Sequence, residues 1–194
     1  GEQQSGQITA VGFELYTEMM QKAVNELKGE VVAPEVEPEI RLEIPAYFPE
    51  NYIPDANQRL LFYKRLASVG NPLELAELKE EIRDRFGPTT SIVENLFRVM
   101  DLRRVLKEFL VQQISVSNGQ VFLLFHPESP VKVDKLLELI KKQKHKFRLA
   151  PDGRLSFTPQ NKEWEALLGE VVQLLHLIRD DPRQQSLLLE SLHG

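Results

Sequence analysis

Residues 114–125 read Ile-Ser-Val-Ser-Asn-Gly-Gln-Val-Phe-Leu-Leu-Phe, two apolar-rich runs on either side of Asn118-Gly119. Asn-Gly is the most favoured two-residue hairpin turn because both positions tolerate positive φ, so the stretch predicts a β-hairpin. Beyond it, residues 147–150 and 154–158 flank Pro151-Asp152-Gly153, a second turn signal, and apolar residues return to helical spacing over 131–144 and 162–178. Hairpin followed by helix thus occurs twice. The segments N-terminal to residue 114 are helical in period instead. The pattern predicts an α+β fold: a helical layer, and a small antiparallel sheet of two hairpins covered by helices.

Working back towards the start, a helix is expected over 91–112, carrying Val93, Leu96, Phe97, Met100, Val105, Leu106 and Phe109 on one side. Before it, Asn71-Pro72 opens a helix that Phe86-Gly87-Pro88 closes, an N-cap followed by proline at one end and a glycine stop at the other. Asp55 caps a helix over 55–69 with Leu60, Tyr63, Leu66 and Ala67 inward. Five of the twelve prolines fall between Pro34 and Pro54, marking a linker. Within it Ile40, Leu42 and Ile44 alternate with charged residues as a short strand with one buried face. Over 8–28, Val11, Leu15, Met19, Ala23 and Leu27 recur at steps of four, and Phe13, Tyr16, Met20 and Val24 widen that face, before Gly29 ends the helix. The division expected is a helix over 1–29, an acidic Pro-rich linker over 30–54 and a domain over 55–194, with a leucine-rich tail at 184–192.

The 194 residues allow one large domain or two small ones, and the 42% hydrophobic and 27% charged content is ordinary for a globular chain. There is no cysteine, hence no disulfide or thiolate chemistry, and the longest uncharged run, 109–127, is too polar to span a membrane. A soluble, cytoplasmic protein is expected. The chain begins with Gly1 without a basic-then-apolar leader and is read as a piece of a longer protein. Residues 1–55 hold 3 Lys/Arg against 11 Asp/Glu, the remainder 21 against 18, so the acid is concentrated near the start.

The sequence contains no Gly-x-x-x-x-Gly-Lys-Ser/Thr loop, no Gly-x-Gly-x-x-Gly, no Gly-x-Ser-x-Gly elbow, and no pair of histidines at metal-ligand spacing. No catalytic residue, metal site or cofactor site is expected in this chain, and the isolated chain is not expected to bind ATP. Two charged features remain. On the 72–86 helix, Leu75, Leu78, Ile82 and Phe86 form the inward stripe and leave Glu74, Glu77, Glu81 and Asp84 as an acidic ridge, a wet face in most proteins and a docking line for a basic partner in some. At the end of the 131–144 helix, Lys141, Lys142, Lys144 and Lys146, with His145, Phe147 and Arg148, are candidates for weak nucleic-acid contact, against the plainer reading of lysines that complement a helix C-terminus. The wide apolar face of the first helix makes Leu15, Met19, Met20 and Ala23 candidates for docking or self-association.

Gly1-Glu2-Gln3-Gln4-Ser5-Gly6 with Gly12-Phe13-Glu14-Leu15-Tyr16 and Ala23-Val24 resembles the end of the motor module in transcription-repair coupling factors (Mfd). Tyr52-Ile53-Pro54-Asp55, Arg59-Leu60, Phe62-Tyr63-Lys64-Arg65-Leu66-Ala67 and Asp84-Arg85-Phe86-Gly87 are similar to the C-terminal domain of that family, which the related RecG translocase lacks. The resemblance covers about residues 1–111. It implies a non-catalytic, autoinhibitory domain of an ATP-driven double-stranded DNA translocase that displaces stalled RNA polymerase and recruits UvrA for excision repair. The domain would rest on a UvrB-like module of the same parent and mask its UvrA-binding surface. Residues 1–29 would continue from the motor, and ATP, Mg and DNA would be bound by upstream parts of the parent. The resemblance makes Glu81 and Asp84, with Glu77 and Glu74, contacts to arginines of the UvrB-like module. A nucleic-acid-binding module using residues 141–148 is the alternative, and a stand-alone hydrolase is a further class that would require convergent polar groups in a pocket.

Overall fold

A computed structural model describes residues 20, 23, 24, 27–29 and 34–179. The chain divides into two units, residues 1–35 and 36–194. In the first, Met20, Ala23, Val24 and Leu27 are helical, and Gly29 takes φ 72° after Lys28 N donates to Val24 O at 3.1 Å. Met20, Ala23 and Val24 are exposed; Leu15 and Met19, like the tail at 184–192, lie outside the described residues.

The second unit begins with a short strand, β1 (Glu39–Arg41), followed by α1 (Ala56–Ala67), α2 (Pro72–Phe86) and α3 (Ser91–Glu108). Each of these helices starts where a side chain accepts an otherwise orphaned amide: Asp55 from Gln58, Asn71 from Glu74, Thr90 from Val93. Then come β2 (Val111–Ser117), β3 (Gln120–Phe125), α4 (Val133–Lys142), β4 (Phe147–Leu149), β5 (Leu155–Phe157) and α5 (Trp164–Leu177). Both expected hairpins are present. Asn118 and Gly119 take φ 50° and 72° between β2 and β3, and Gly153 takes φ 84° between β4 and β5.

The sheet has order β1-β2-β3-β5-β4 and is mixed. The two hairpins join antiparallel through β3 and β5, whereas the linker strand β1 pairs parallel with β2, Ile40 opposite Ile114. Glu37, just ahead of β1, is held by Arg103 (Nε–Oε1 2.9 Å) and Lys107 (3.5 Å) of α3. Burial pushes the Glu37 carboxyl up, but these two cations outweigh it and it titrates below the ordinary carboxylate range.

Besides the parallel strand β1, which ends at Arg41 and leaves Leu42 and Ile44 outside it, two further details differ from the sequence reading. The third helix ends at Glu108 rather than 112, because Leu110 adopts φ 52° and Val111 is already paired with Phe125 across the hairpin. On α1 the buried pair is Phe62 and Leu66, with Tyr63 beside them, while Leu60 and Ala67 are exposed. The large Phe62 ring, removed fully from water, sets the rotation of that helix more strongly than Leu60 does.

Apolar residues form two clusters. One joins Phe48, Tyr52, Ile53, Phe62, Leu66, Leu75, Leu78 and Ile82 to Val93, Leu96 and Phe97 of α3. The other joins Leu102, Val105 and Leu106 of α3, and Phe109 just after it, to the inward residues of the sheet, to Leu136 of α4 and to the Leu167–Ile178 stripe around α5. Helix α3, about 27 Å long, therefore contributes one half of its length to each cluster. Among the described residues no helix is long and apolar enough to cross a membrane.

Candidate functional site

Residues of the Tyr52–Asp55, Arg59 and Asp84–Gly87 stretches meet at one corner, where the segment before α1 touches the end of α2. Tyr52 donates its hydroxyl proton to Gly87 O (2.8 Å), and Arg59 Nη1 donates to Ile53 O (2.7 Å) and Pro54 O (3.0 Å). The Phe86 ring meets Phe62 edge-on at 5.5 Å, and the Arg85 guanidinium lies over both rings. Gly87 closes α2 with φ 88°, a conformation in which a side chain would be strained. These residues fix the angle at which α2 leaves the corner. Their role is positional.

That angle presents the acidic ridge. Leu75, Leu78 and Ile82 are buried beneath it, so α2 cannot rotate without losing its core stripe. Of the four ridge carboxylates, two have partners. Glu74 accepts from Gly70 N at 2.8 Å, and Glu81 is paired with Arg65 of α1. Glu77 and Asp84 are exposed and form no hydrogen bond or ion pair with a described residue. An open cleft of about 440 Å³ between α1 and α2 is lined by Arg65, Ser68, Val69, Glu74, Glu77, Leu78 and Glu81. It continues into a shallow depression along Ala76, Glu80, Asp84 and Arg85. Arg65 was absent from the sequence reading of the ridge, because only the packing of α1 on α2 brings it there.

At the end of α2, Arg83 bonds Glu80 (2.7 Å) and crosses to Glu94 of α3 (2.9 Å), which also accepts from Thr89. Burial pushes the Glu94 carboxyl up, but the hydrogen bonds from Thr89 and Arg83 and the charges of Arg83 and Lys79 outweigh it and lower its pKa. A carboxylate depressed in the folded state stabilises the fold above its unfolded pKa, and that contribution is lost as pH falls through the folded value. Glu94→Gln should therefore lower the melting temperature near about pH 7, by on the order of 1 kcal/mol of stability. The gap to the wild type should close below the ordinary carboxylate range. Thermal melts across that range check this, and a gap that stays constant with pH would assign the loss to packing instead.

The basic stretch is divided by the fold. Lys141 and Lys142 sit in the last turn of α4, and Lys142 is 3.8 Å from Glu138. Lys146 is tied to Glu170 of α5 at 2.6 Å and lies over the Phe147 ring. Lys146 also lines, with Lys144, His145, Arg148 and Arg154, a hollow of about 270 Å³. Arg154 comes from the far arm of the β4–β5 hairpin, and nothing in the linear order of charges links it to Lys144 and Arg148. His176 meets the Phe109 ring edge-on at 5.2 Å, and His126 accepts from Glu128 N, both structural contacts. Among the described residues no three His, Cys, Asp or Glu side chains converge as metal ligands.

A family model described as the TRCF domain matches residues 42–136, which begin just after β1 and span α1 to α3, the first hairpin and the start of α4. The chain is 35% identical over 184 residues to the transcription-repair-coupling factor of Haemophilus influenzae, covering 92% of this chain and 16% of that one. It is 34% identical over 190 residues to the factor of Bacillus subtilis, covering 95% and 16%, and 30% identical over 188 residues to that of Escherichia coli, covering 93% and 16%. It thus spans about a sixth of the length of these relatives. A solved structure described as the C-terminal domain of transcription-repair coupling factor superposes with a TM-score of 0.65 over 76% of this chain and 95% of that one, at 21% identity, a likeness of fold. Residues 42–136 belong to the TRCF domain family, and more than nine-tenths of the chain is similar to part of a transcription-repair-coupling factor.

Proposed function

We propose that this chain is the regulatory C-terminal piece of an ATP-driven DNA translocase, and that it works by docking rather than by catalysis. The observation that carries the reading is the ridge on α2. Its inner face is committed to the core, while Glu77 and Asp84 stand in line without a partner among the described residues. Stacked carboxylates repel one another, and a basic surface relieves the repulsion. The partner proposed is the UvrB-like module of the same parent, whose UvrA-binding surface would be masked in the docked state. ATP, Mg, DNA and RNA polymerase would then be engaged by upstream parts of the parent. The names of the relatives support a role in transcription-coupled repair, and the fixed geometry at the Tyr52–Gly87 corner supports a rigid docking element.

The test is a titration of this chain against the isolated UvrB-like module. Saturable binding that weakens with salt, and weakens further with Asp84→Arg, is the expected result. No binding at low salt, or binding indifferent to Asp84→Arg, would remove the ridge from the interface.

A further inference from the structure

The face of the sheet opposite the buried one carries its own pattern. Register places Arg41, Ser115, Phe122, Ser156 and Arg148 in one row across all five strands. Their inward neighbours Ile114, Val121, Leu123, Leu155 and Phe157 are fully or almost fully buried, whereas every member of the row is partly or fully exposed. Phe122 therefore stands on the central strand, β3, between two serines too small to wall off its ring. A single half-buried aromatic means little by itself.

Charge separates this one from the ordinary case. At the β1 edge Arg41 is neutralised by Glu39 at 2.7 Å. At the β4–β5 edge the cations are not neutralised in the same way. Lys144 and Arg148 form no ion pair with a described residue. Arg154 Nε is shielded from solvent without a hydrogen-bond partner, and its nearest carboxylate oxygen, on Asp152, is 4.0 Å away. These three cations line the same hollow as Phe122, Gln120 and Ser156. An aromatic platform on an open sheet, with uncharged donors and acceptors beside it and under-satisfied cations along one margin, is the chemistry that holds an unpaired nucleic-acid strand: a base stacks and the phosphates meet the cations.

We propose that this sheet face binds a short single strand of nucleic acid, with Phe122 stacking a base and Lys144, Arg148 and Arg154 taking the adjoining phosphates. An acidic protein segment would satisfy the cations but would leave the ring and the polar row unused. A duplex hides its base faces from the ring. The proposal is independent of the docking ridge, which lies on α2.

The experiment is a fluorescence-anisotropy titration of the 194-residue chain with a labelled oligothymidylate of about ten nucleotides, at low and physiological salt. Expected are steeply salt-dependent binding, a loss of about tenfold with Phe122→Ala, and retention with Phe122→Trp. Lys144→Glu with Arg148→Glu, both at surface positions, should weaken binding further and flatten its salt dependence. The charge-reversed variant keeps the test valid should Phe122→Ala unfold. A duplex of equal length binding as tightly as the single strand, or insensitivity to either set of changes, would overturn the proposal. So would displacement of the oligonucleotide by a polyglutamate peptide at the same concentration as by unlabelled strand, which would assign the face to an acidic protein segment.

Discussion

On the docking proposed above, Asp84→Arg combined with Glu81→Lys in the longer parent is expected to raise UvrA binding and basal ATPase together. Exposed ion pairs contribute only about 0.2 to 1 kcal/mol each, so ridge carboxylates cannot by themselves hold a closed state. Reversal does more than deletion, because it replaces attraction with repulsion against an arginine that a partly buried interface keeps in place. A shift of about 1 to 3 kcal/mol in the closed-to-open balance is the ordinary range of such couplings, and about tenfold in UvrA affinity lies within it. The two positions are not equivalent inside the domain. Glu81 faces Arg65, so Glu81→Lys places two cations together and should cost the domain itself up to about 1 kcal/mol, whereas Asp84 has no such partner. Asp84→Arg alone should therefore open the parent in part while leaving the melting temperature of this domain unchanged. Wild-type UvrA binding and ATPase in the double variant would identify the ridge as a solvated face.

Phe62→Ala should have the largest effect on stability. The ring is fully buried, meets Phe86 edge-on, and has the Arg65 and Arg85 guanidinium groups over it at 5.3 Å. Truncating such a ring costs roughly 3 to 5 kcal/mol in transfer and cavity terms, against a total of about 5 to 15 for a domain. A fall in melting temperature of roughly 10 °C follows for a domain of this size. The same change unseats Arg65, the partner of Glu81, and Arg85, the neighbour of Asp84, so the proposed binding to the UvrB-like module should weaken even where the domain remains folded. Calorimetry of the isolated chain checks the first claim. A loss below about 1 kcal/mol would show that the corner collapses around the missing ring.

Local chemistry made much of the fold legible. Asn118-Gly119 and Pro151-Asp152-Gly153 turn where their composition demands, and Asn71-Pro72 with Gly87 delimits α2 at both ends. What the sequence did not disclose depends on residues far apart in it. The alternation at Ile40, Leu42 and Ile44 announces a strand but not its neighbour, since the partner strand β2 begins only after three helices. Leu110, at positive φ, has no composition signal that would end a helix there. At the surface the ridge was visible as helical periodicity, whereas Arg65 joins it only through the packing of α1. Arg154 likewise reaches Lys144 and Arg148 only through the second hairpin, which is why the basic stretch read as a line of lysines rather than as the margin of a sheet.

The parallel pairing of β1 with β2 also sets an order of events during synthesis. Glu39 leaves the ribosome roughly seventy residues before its partner Gln113, and a parallel strand cannot form a ladder without that partner. At about 5 to 20 residues per second, the segment waits for several seconds, long enough for α1, α2 and the N-terminal half of α3 to close their own apolar cluster first. The edge of the sheet is thus the last part of the nascent domain to be completed from its N-terminal side. Slow codons placed just after Ser117 would lengthen the interval in which β2 is exposed to the folding milieu with one edge unclaimed.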